Sequence, residues 1–319
     1  MNPYVFVVGC PRSGTTLVQK ILGAHPQLAL TDKESHWISE CYEKKTGVDA
    51  DGHVARDLSD VICANPRYHA LGFDRAQLDD LVRRHEGTPY AQFVTLLFDE
   101  LARTEGKPFA GDKTPAYVFD LGLLHELWPW ARFVHVIRDG RDVCLSALSW
   151  TRKAASFARR LPTWSDDRVT TIALWWKLHV ANGREQGRRL PEGTYFELRY
   201  ESLVNDPRAT CDELCSFLGL AYHDAMLRFH EGRMQAAPGV SAKHAWLPVT
   251  PGLRDWRRAL APDDLRRFEA AAGELLEELG YGLGAARLTS DDAAHAARIE
   301  ERFVSELPRR ERPRAAVLS

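Results

Sequence analysis

The chain has no long apolar run. Nothing in its 319 residues approaches the roughly 20 consecutive hydrophobic positions that a membrane-spanning helix requires, so no membrane span is expected. It also lacks an excess of charge of either sign. Forty-two Lys and Arg stand against 44 Asp and Glu, for a net charge of −2, which argues against a broad electrostatic grip on nucleic acid. Cysteine is sparse and scattered, at Cys10, Cys41, Cys63, Cys144, Cys211 and Cys215, with no C-x-x-C pair. Cys211 and Cys215 are one helical turn apart, a spacing that can seed a metal site, but core packing in a reducing compartment is the simpler reading. There is no internal repeat and no low-complexity block. An apolar strand begins almost at Met1, leaving no room for the charged and apolar regions of a secretory leader, so a cytoplasmic location is expected.

What is present is ordinary globular material, 45% hydrophobic and 27% charged, enough for a sizeable core. Strands and helices alternate. Val5–Val8, Phe109–Asp112, Phe133–Ile137 and Thr194–Arg199 read as strands. Helices are expected from Asp74 to His85, around Tyr90–Leu101, over Tyr117–Trp128, from near Arg141, over Arg168–Gln186, Pro207–Leu218 and Pro262–Leu279. This alternation predicts an α/β fold, P-loop-like and three-layered, with a central parallel sheet flanked by helices. Gly232–Pro251 has no periodicity and reads as a loop long enough to act as a lid. Residues 1–284 are expected to form the functional domain. Residues 285–319 should carry a short Ala- and Glu-rich helix and a disordered tail.

The most telling absence is a single lysine. Val5 to Leu17 reads VFVVGCPRSGTTL, a buried strand, a Gly-bounded loop and a helix start. Such a loop turns several N–H groups toward one point at the positive end of a helix, where an anion binds. Gly9, Gly14 and Thr16 keep the spacing of a nucleoside-triphosphate loop, but Thr15 stands where that loop needs Lys for the β- and γ-phosphates. Arg12, Ser13, Gly14, Thr15 and Thr16 suit a single phosphate bonded to a less charged group. A sulfate ester of a nucleotide meets that description.

The segments at Lys113, Arg138 and Tyr200, like that at Gly9, fall at predicted strand ends, where ligands of parallel sheets bind. Arg138, in Val136-Ile137-Arg138-Asp139-Gly140-Arg141-Asp142-Val143, can fork onto a terminal phosphate. The alternative is a plain Arg138–Asp139 ion pair, and Arg141 has Asp139 or Asp142 as partners. Ser146 reaches the same phosphate only if its helix packs alongside the ligand. Gly111-Asp112-Lys113-Thr114-Pro115 offers a cation, unless Asp112 holds Lys113 in a salt bridge. Glu34-Ser35-His36-Trp37, after His25-Pro26, offers two proton acceptors.

Together with Pro11–Thr16, these segments identify a resemblance. The chain is similar, from Val5 to roughly Tyr281, to the sulfotransferases that use 3′-phosphoadenosine 5′-phosphosulfate (PAPS), and most to bacterial members related to the tyrosylprotein branch. The resemblance implies that Pro11–Thr16 binds the 5′-phosphosulfate and that Arg138 and Ser146 bind the 3′-phosphate. It implies that Lys113 reaches the oxygen bridging phosphate and sulfate, and that Glu34 is the catalytic base. His36 competes for that role, having the more suitable intrinsic pKa. Tyr200, in Arg199-Tyr200-Glu201-Ser202-Leu203, matches a Tyr that contacts the nucleotide, or is an ordinary strand residue. Gly239-Val240-Ser241 through Trp256-Arg257 resembles a late loop that closes over the nucleotide. There the tyrosylprotein branch has a Lys before Pro-Val where this chain has Leu247, leaving Lys243 or Arg254 to supply the charge.

The expectation is therefore a PAPS-dependent sulfotransferase. PAPS is a co-substrate, and no metal is required because Arg12, Lys113 and the loop amides carry the charge. The acceptor is a hydroxyl, less readily an amine, on a small metabolite or glycan. Trp37, Trp150, Trp164 and Trp246 are candidate walls for it, or core residues. The rivals are a P-loop kinase-like phosphotransferase and a non-catalytic nucleotide-binding protein. Neither the acceptor's identity nor the oligomeric state is written in the sequence.

Overall fold

The computed structural model describes residues 1–149, 161–231, 247–285 and 287–307. Val5–Gly9 (β1) is buried at every position. It occupies the centre of a five-stranded sheet ordered β2-β3-β1-β4-β5, the others being Leu28–Leu30 (β2), Phe109–Lys113 (β3), Arg132–Ile137 (β4) and Tyr195–Arg199 (β5). Every pairing is parallel. The carboxyl ends therefore share one edge, and the connections run to opposite sides of β1, which is where parallel sheets open a crevice.

Alternation along β1 divides the core. Phe6 and Val8 face a cluster with Trp37, Phe93, Phe98, Trp128 and Phe133. Val5 and Val7 face Leu22, Val134, Val136, Leu198 and Leu214. The sheet is thus the middle of three layers. A third apolar cluster joins the helices Gly140–Leu148, Arg168–Arg189, Pro262–Glu278 and Ser290–Glu306.

Most expected elements form, with shifts that have local causes. Asp74 caps Arg75–Arg84 in a reciprocal capping box with Gln77. The single helix expected over Tyr117–Trp128 is instead a 3₁₀ turn, Pro115–Phe119, followed by a helix, Leu121–Leu127. Asp120 separates them with φ −122° and ψ 17°, and its carboxylate accepts the Ser39 hydroxyl at 2.6 Å. β2 escaped the sequence reading because three residues are too few to show a period. The helix expected after Gly284 is Ser290–Glu306. Thr289 caps it, and Ala296, Ile299 and Phe303 are buried. The expected tail from residue 308 and most of the Gly232–Pro251 loop lie outside the described residues. Among the described residues no helix is long and apolar enough to cross a membrane.

Candidate active site

The β1 strand delivers the loop. Gly9 has φ +141°, and a Cβ there would lie 2.6 Å from the Val136 carbonyl oxygen, so only glycine lets β1 turn this close to β4. Arg12 sits at φ 80°, an uncommon angle for a non-glycine residue and a form of strain that persists where the surroundings fix it. Thr15–Gly23 (α1) then begins, with Gly14 as its N-cap and no side chain capping the first turn. Its positive end is open toward the crevice. Thr15, Thr16, Arg12 and Gly14 line a cavity of about 150 Å³ there, with Glu34, Pro115, Arg138, Ser146, Tyr200 and Arg254. Ser13 does not line it. Its N–H donates to the Cys10 carbonyl at 3.1 Å, and its buried hydroxyl has no partner among the described residues.

Arg138 and Ser146 reach the cavity from β4 and the helix after it. Arg12 Nε donates to Ser146 Oγ at 2.8 Å, so the loop after β1 and the helix after β4 touch. Arg138 Nη2 donates to Asp142 Oδ2 at 3.1 Å, not to Asp139. Arg138 Nε is buried and has no partner among the described residues. Asp139 instead accepts Arg141 Nε at 3.0 Å and Nη2 at 2.8 Å, and Glu269 accepts Arg141 Nη1 at 2.6 Å. Arg141 is therefore structural, and Arg138 keeps donors to offer. Tyr200 opens the helix after β5. Its ring lies so close to Gly14 that a Cβ there would sit 2.4 Å from Tyr200 Cδ2, and the Arg138 guanidinium lies 4.1 Å from the ring centroid. Arg12 is pushed down to about 10, by burial first and then by Arg254 and Arg138.

The third element of the site is an acid held by two bases. Lys113 Nζ, at the end of β3, donates to Glu34 Oε1 at 2.7 Å, and His36 Nε2 lies 3.1 Å from Glu34 Oε2. Asp112 plays no part in this pair, because neighbouring strand residues face opposite ways. It accepts the Thr31 hydroxyl at 2.8 Å. Burial would raise the Glu34 carboxyl, but hydrogen bonds from His36 and Lys113 and the charge of Lys113 outweigh it and hold the group at about 2. The loop carrying Glu34 is pinned at Ser35, whose hydroxyl is 2.6 Å from Tyr117 Oη and whose N–H donates to Thr114 Oγ1 at 3.0 Å. His36 contacts Glu34 and does not line the cavity, and its Nδ1 is 3.4 Å from Arg67 Nη2.

Trp37 is fully buried in the core and Trp164 packs against the third cluster, so neither is a wall of this cavity. Trp150, Trp246, Lys243 and the Gly239-Val240-Ser241 segment lie outside the described residues. Leu247, Pro248, Thr250 and Leu253 of the late segment also line the cavity, while Leu17 and Pro115 line it without any role assigned to them from the sequence, since apolar contacts have no motif.

Residues 3–224 match the profile described as the sulfotransferase family. The chain belongs to that family. Protein-tyrosine sulfotransferase 1 of Danio rerio is 26% identical over 289 residues, covering 88% of this chain and 72% of that protein. The Homo sapiens protein of the same name is 25% identical over 287 residues, covering 88% and 70%. The fold of this sulfotransferase resembles the sulfotransferase domain of the Synechococcus PCC 7002 olefin synthase, with TM-score 0.58, 23% identity and coverage of 89% and 96%. It also resembles the sulfotransferase domain from the curacin biosynthetic pathway, with TM-score 0.52, 18% identity and coverage of 97% and 99%.

Proposed function

We propose that this sulfotransferase moves the sulfuryl group of PAPS to a hydroxyl, less readily an amine, of an organic acceptor in a cytoplasmic setting. The observation that carries the reading is the Lys113–Glu34 pair, 2.7 Å apart, whose Glu34 lines the cavity at the open N-terminus of α1. A cation for the leaving oxygen and a carboxylate for the acceptor proton stand side by side there. The unpartnered Arg138 Nε suits the added 3′-phosphate, and the absence of a Lys at Thr15 disfavours a triphosphate.

PAPS supplies the electrophilic sulfur. Arg12, the loop amides, Thr15 and Thr16 hold its 5′-phosphate. Arg138 and Ser146 hold the 3′-phosphate, and Tyr200 lies against the nucleoside. The acceptor oxygen forms a bond to sulfur while the bond from sulfur to the bridging oxygen breaks. Glu34 takes the acceptor proton, and the departing electron pair stays on the bridging oxygen beside Lys113, leaving 3′-phosphoadenosine 5′-phosphate (PAP). Lys113 cannot serve Glu34 and the leaving oxygen fully at once. As it turns toward the donor, Glu34 loses one of its two partners and its proton affinity rises, so the base is switched on by the donor. His36 steadies the carboxylate.

A small metabolite or glycan is the acceptor we favour. A tyrosyl hydroxyl is the second reading, supported by the relatives named protein-tyrosine sulfotransferase. The test is transfer of labelled sulfate from PAPS into a host extract, with mass spectrometry of whatever gains mass. Label on metabolites or glycans supports the first acceptor, label on tyrosine the second, and no label with any fraction counts against the reading.

A further inference from the structure

Glu34 is not the end of its hydrogen-bonded chain. His36 Nε2 lies 3.1 Å from Glu34 Oε2, and Arg67 Nη2 lies 3.4 Å from the other ring nitrogen, His36 Nδ1. The same Arg67 nitrogen is 3.6 Å from Glu40 Oε1. Glu40 is buried, and its Oε2 accepts Lys44 Nζ at 2.8 Å and the Tyr68 hydroxyl at 3.0 Å. Four side chains thus connect the cavity to a buried carboxylate: Glu34, His36, Arg67 and Glu40.

The chemistry of these groups fixes the direction of each bond. A guanidinium carries donors and no acceptor, so the contact from Arg67 requires Nδ1 to accept. A neutral imidazole whose Nδ1 accepts carries its proton on Nε2, and an ionised carboxylate can only accept. Both neighbours of the ring therefore call for the same tautomer, with Nε2–H donated to Glu34. The opposite tautomer would set a lone pair against the carboxylate and an N–H against the guanidinium. Lys113, on the other Glu34 oxygen, and the buried Asp112 also act on this cluster through their charges.

Arg67 is brought there by a fastened loop, which runs between the helices Leu58–Ala64 and Arg75–Arg84. The loop is tied at three points to the segment carrying Glu34 and the helix that follows. The Trp37 indole N–H donates to the His69 carbonyl at 2.8 Å, the His69 N–H donates to the Ser35 carbonyl at 3.5 Å, and the Tyr68 hydroxyl donates to Glu40.

We propose that Arg67, backed by Glu40, is a positioning residue for the base. It locks His36 in the Nε2–H tautomer, so that the imidazole donates to Glu34 while its one lone pair, on Nδ1, is engaged by Arg67. His36 is thereby barred from taking the acceptor proton itself. The proposal rests on the reading of Glu34 as the base. It goes beyond it in naming the group that decides between two adjacent proton acceptors.

The test is long-range proton–nitrogen correlation NMR of the full chain carrying isotope-labelled histidine, at about pH 8, where an ordinary imidazole is neutral. The His36 signals are those lost in His36→Gln. Wild type should show an unprotonated Nδ1 and a protonated Nε2. Arg67→Met should draw the two nitrogen shifts toward one another as the tautomers mix, and Arg67→Lys, which keeps a donor, should restore the wild-type pattern. Transfer of labelled sulfate from PAPS into a host extract should fall roughly 2- to 10-fold in Arg67→Met, the worth of one hydrogen bond, and recover in Arg67→Lys. Affinity for PAP should change less than about threefold in either variant. A protonated Nδ1 in wild type, or an unchanged His36 pattern in Arg67→Met, would overturn the lock. Unchanged transfer in Arg67→Met would overturn its part in the reaction. The wild-type spectrum needs no variant, so the lock stays open to refutation even if Arg67→Met fails to fold. The stated tautomer together with normal turnover in Glu34→Gln would instead show that the base reading has failed.

Discussion

Glu34 is pulled by burial in one direction and by Lys113 and His36 in the other, and the outcome decides its chemistry. Held at about 2, it is fully ionised at neutral pH, and the proposed base role requires its proton affinity to rise as Lys113 engages the donor. Glu34→Gln preserves shape and removes basicity. Its kcat should fall about 10²–10⁴-fold with PAP affinity little changed. His36→Gln leaves the carboxylate in place and should mainly raise the acceptor KM. Steady-state kinetics on both variants separates the two candidates, and collapse in His36→Gln with normal turnover in Glu34→Gln would reassign the base. Lys113→Ala should lose kcat under either assignment, because its charge is wanted most in the transition state.

At the scale of elements, the loop between β1 and α1 works because β5 ends against it. The Tyr200 ring fills the space a side chain at Gly14 would need, and Gly14 itself has φ +101°. Gly14→Ala should cost about 1–3 kcal/mol of stability and displace Tyr200 and the Arg138 stacked on it. Chemical denaturation and PAP titration of this variant should both report a loss, and an unaffected variant would mean that the loop tolerates the shift. The strand ends were legible in the sequence because each carries a motif with a mechanism: Gly9 and Gly14 for the turn, Lys113 and Arg138 as cations after apolar runs. Other partnerships were not legible. Nothing in the local spacing says that Arg141 pairs with Glu269, 128 residues away, or that Lys113 turns to Glu34 instead of its neighbour Asp112. The break at Asp120 was hidden for the same reason, since Ser39 holds it from another part of the chain.

The whole molecule buries two histidines as neutral groups beside the central sheet. Burial pushes His135 down to about 3, helped by His179, Arg184 and Arg199, and pushes His179 down to about 4. Unfolding frees both to protonate at ordinary values, so the unfolded chain binds more protons below about pH 6.5. Their contribution to stability is complete above that pH and is lost as the pH falls toward 4 and 3. The unfolding free energy from urea titration should therefore drop between pH 7 and pH 4.5, by up to about 1.4 kcal/mol per pH unit for each group. A flat profile would show that one or both histidines reach water.

The site as a whole supplies positive charge from Arg12, Lys113, Arg138 and Arg254, which makes magnesium unnecessary in this account. Transfer from PAPS should survive excess EDTA, and activity restored only by added magnesium would favour a kinase-like phosphotransferase. The most direct test of the central claim is the affinity of the purified chain for PAP against ATP, measured by calorimetry with and without magnesium. PAP should bind more tightly by roughly 10- to 150-fold, the worth of one charged phosphate contact made through Arg138, and magnesium should not change the order. Equal affinity, or tighter binding of magnesium ATP, would contradict it.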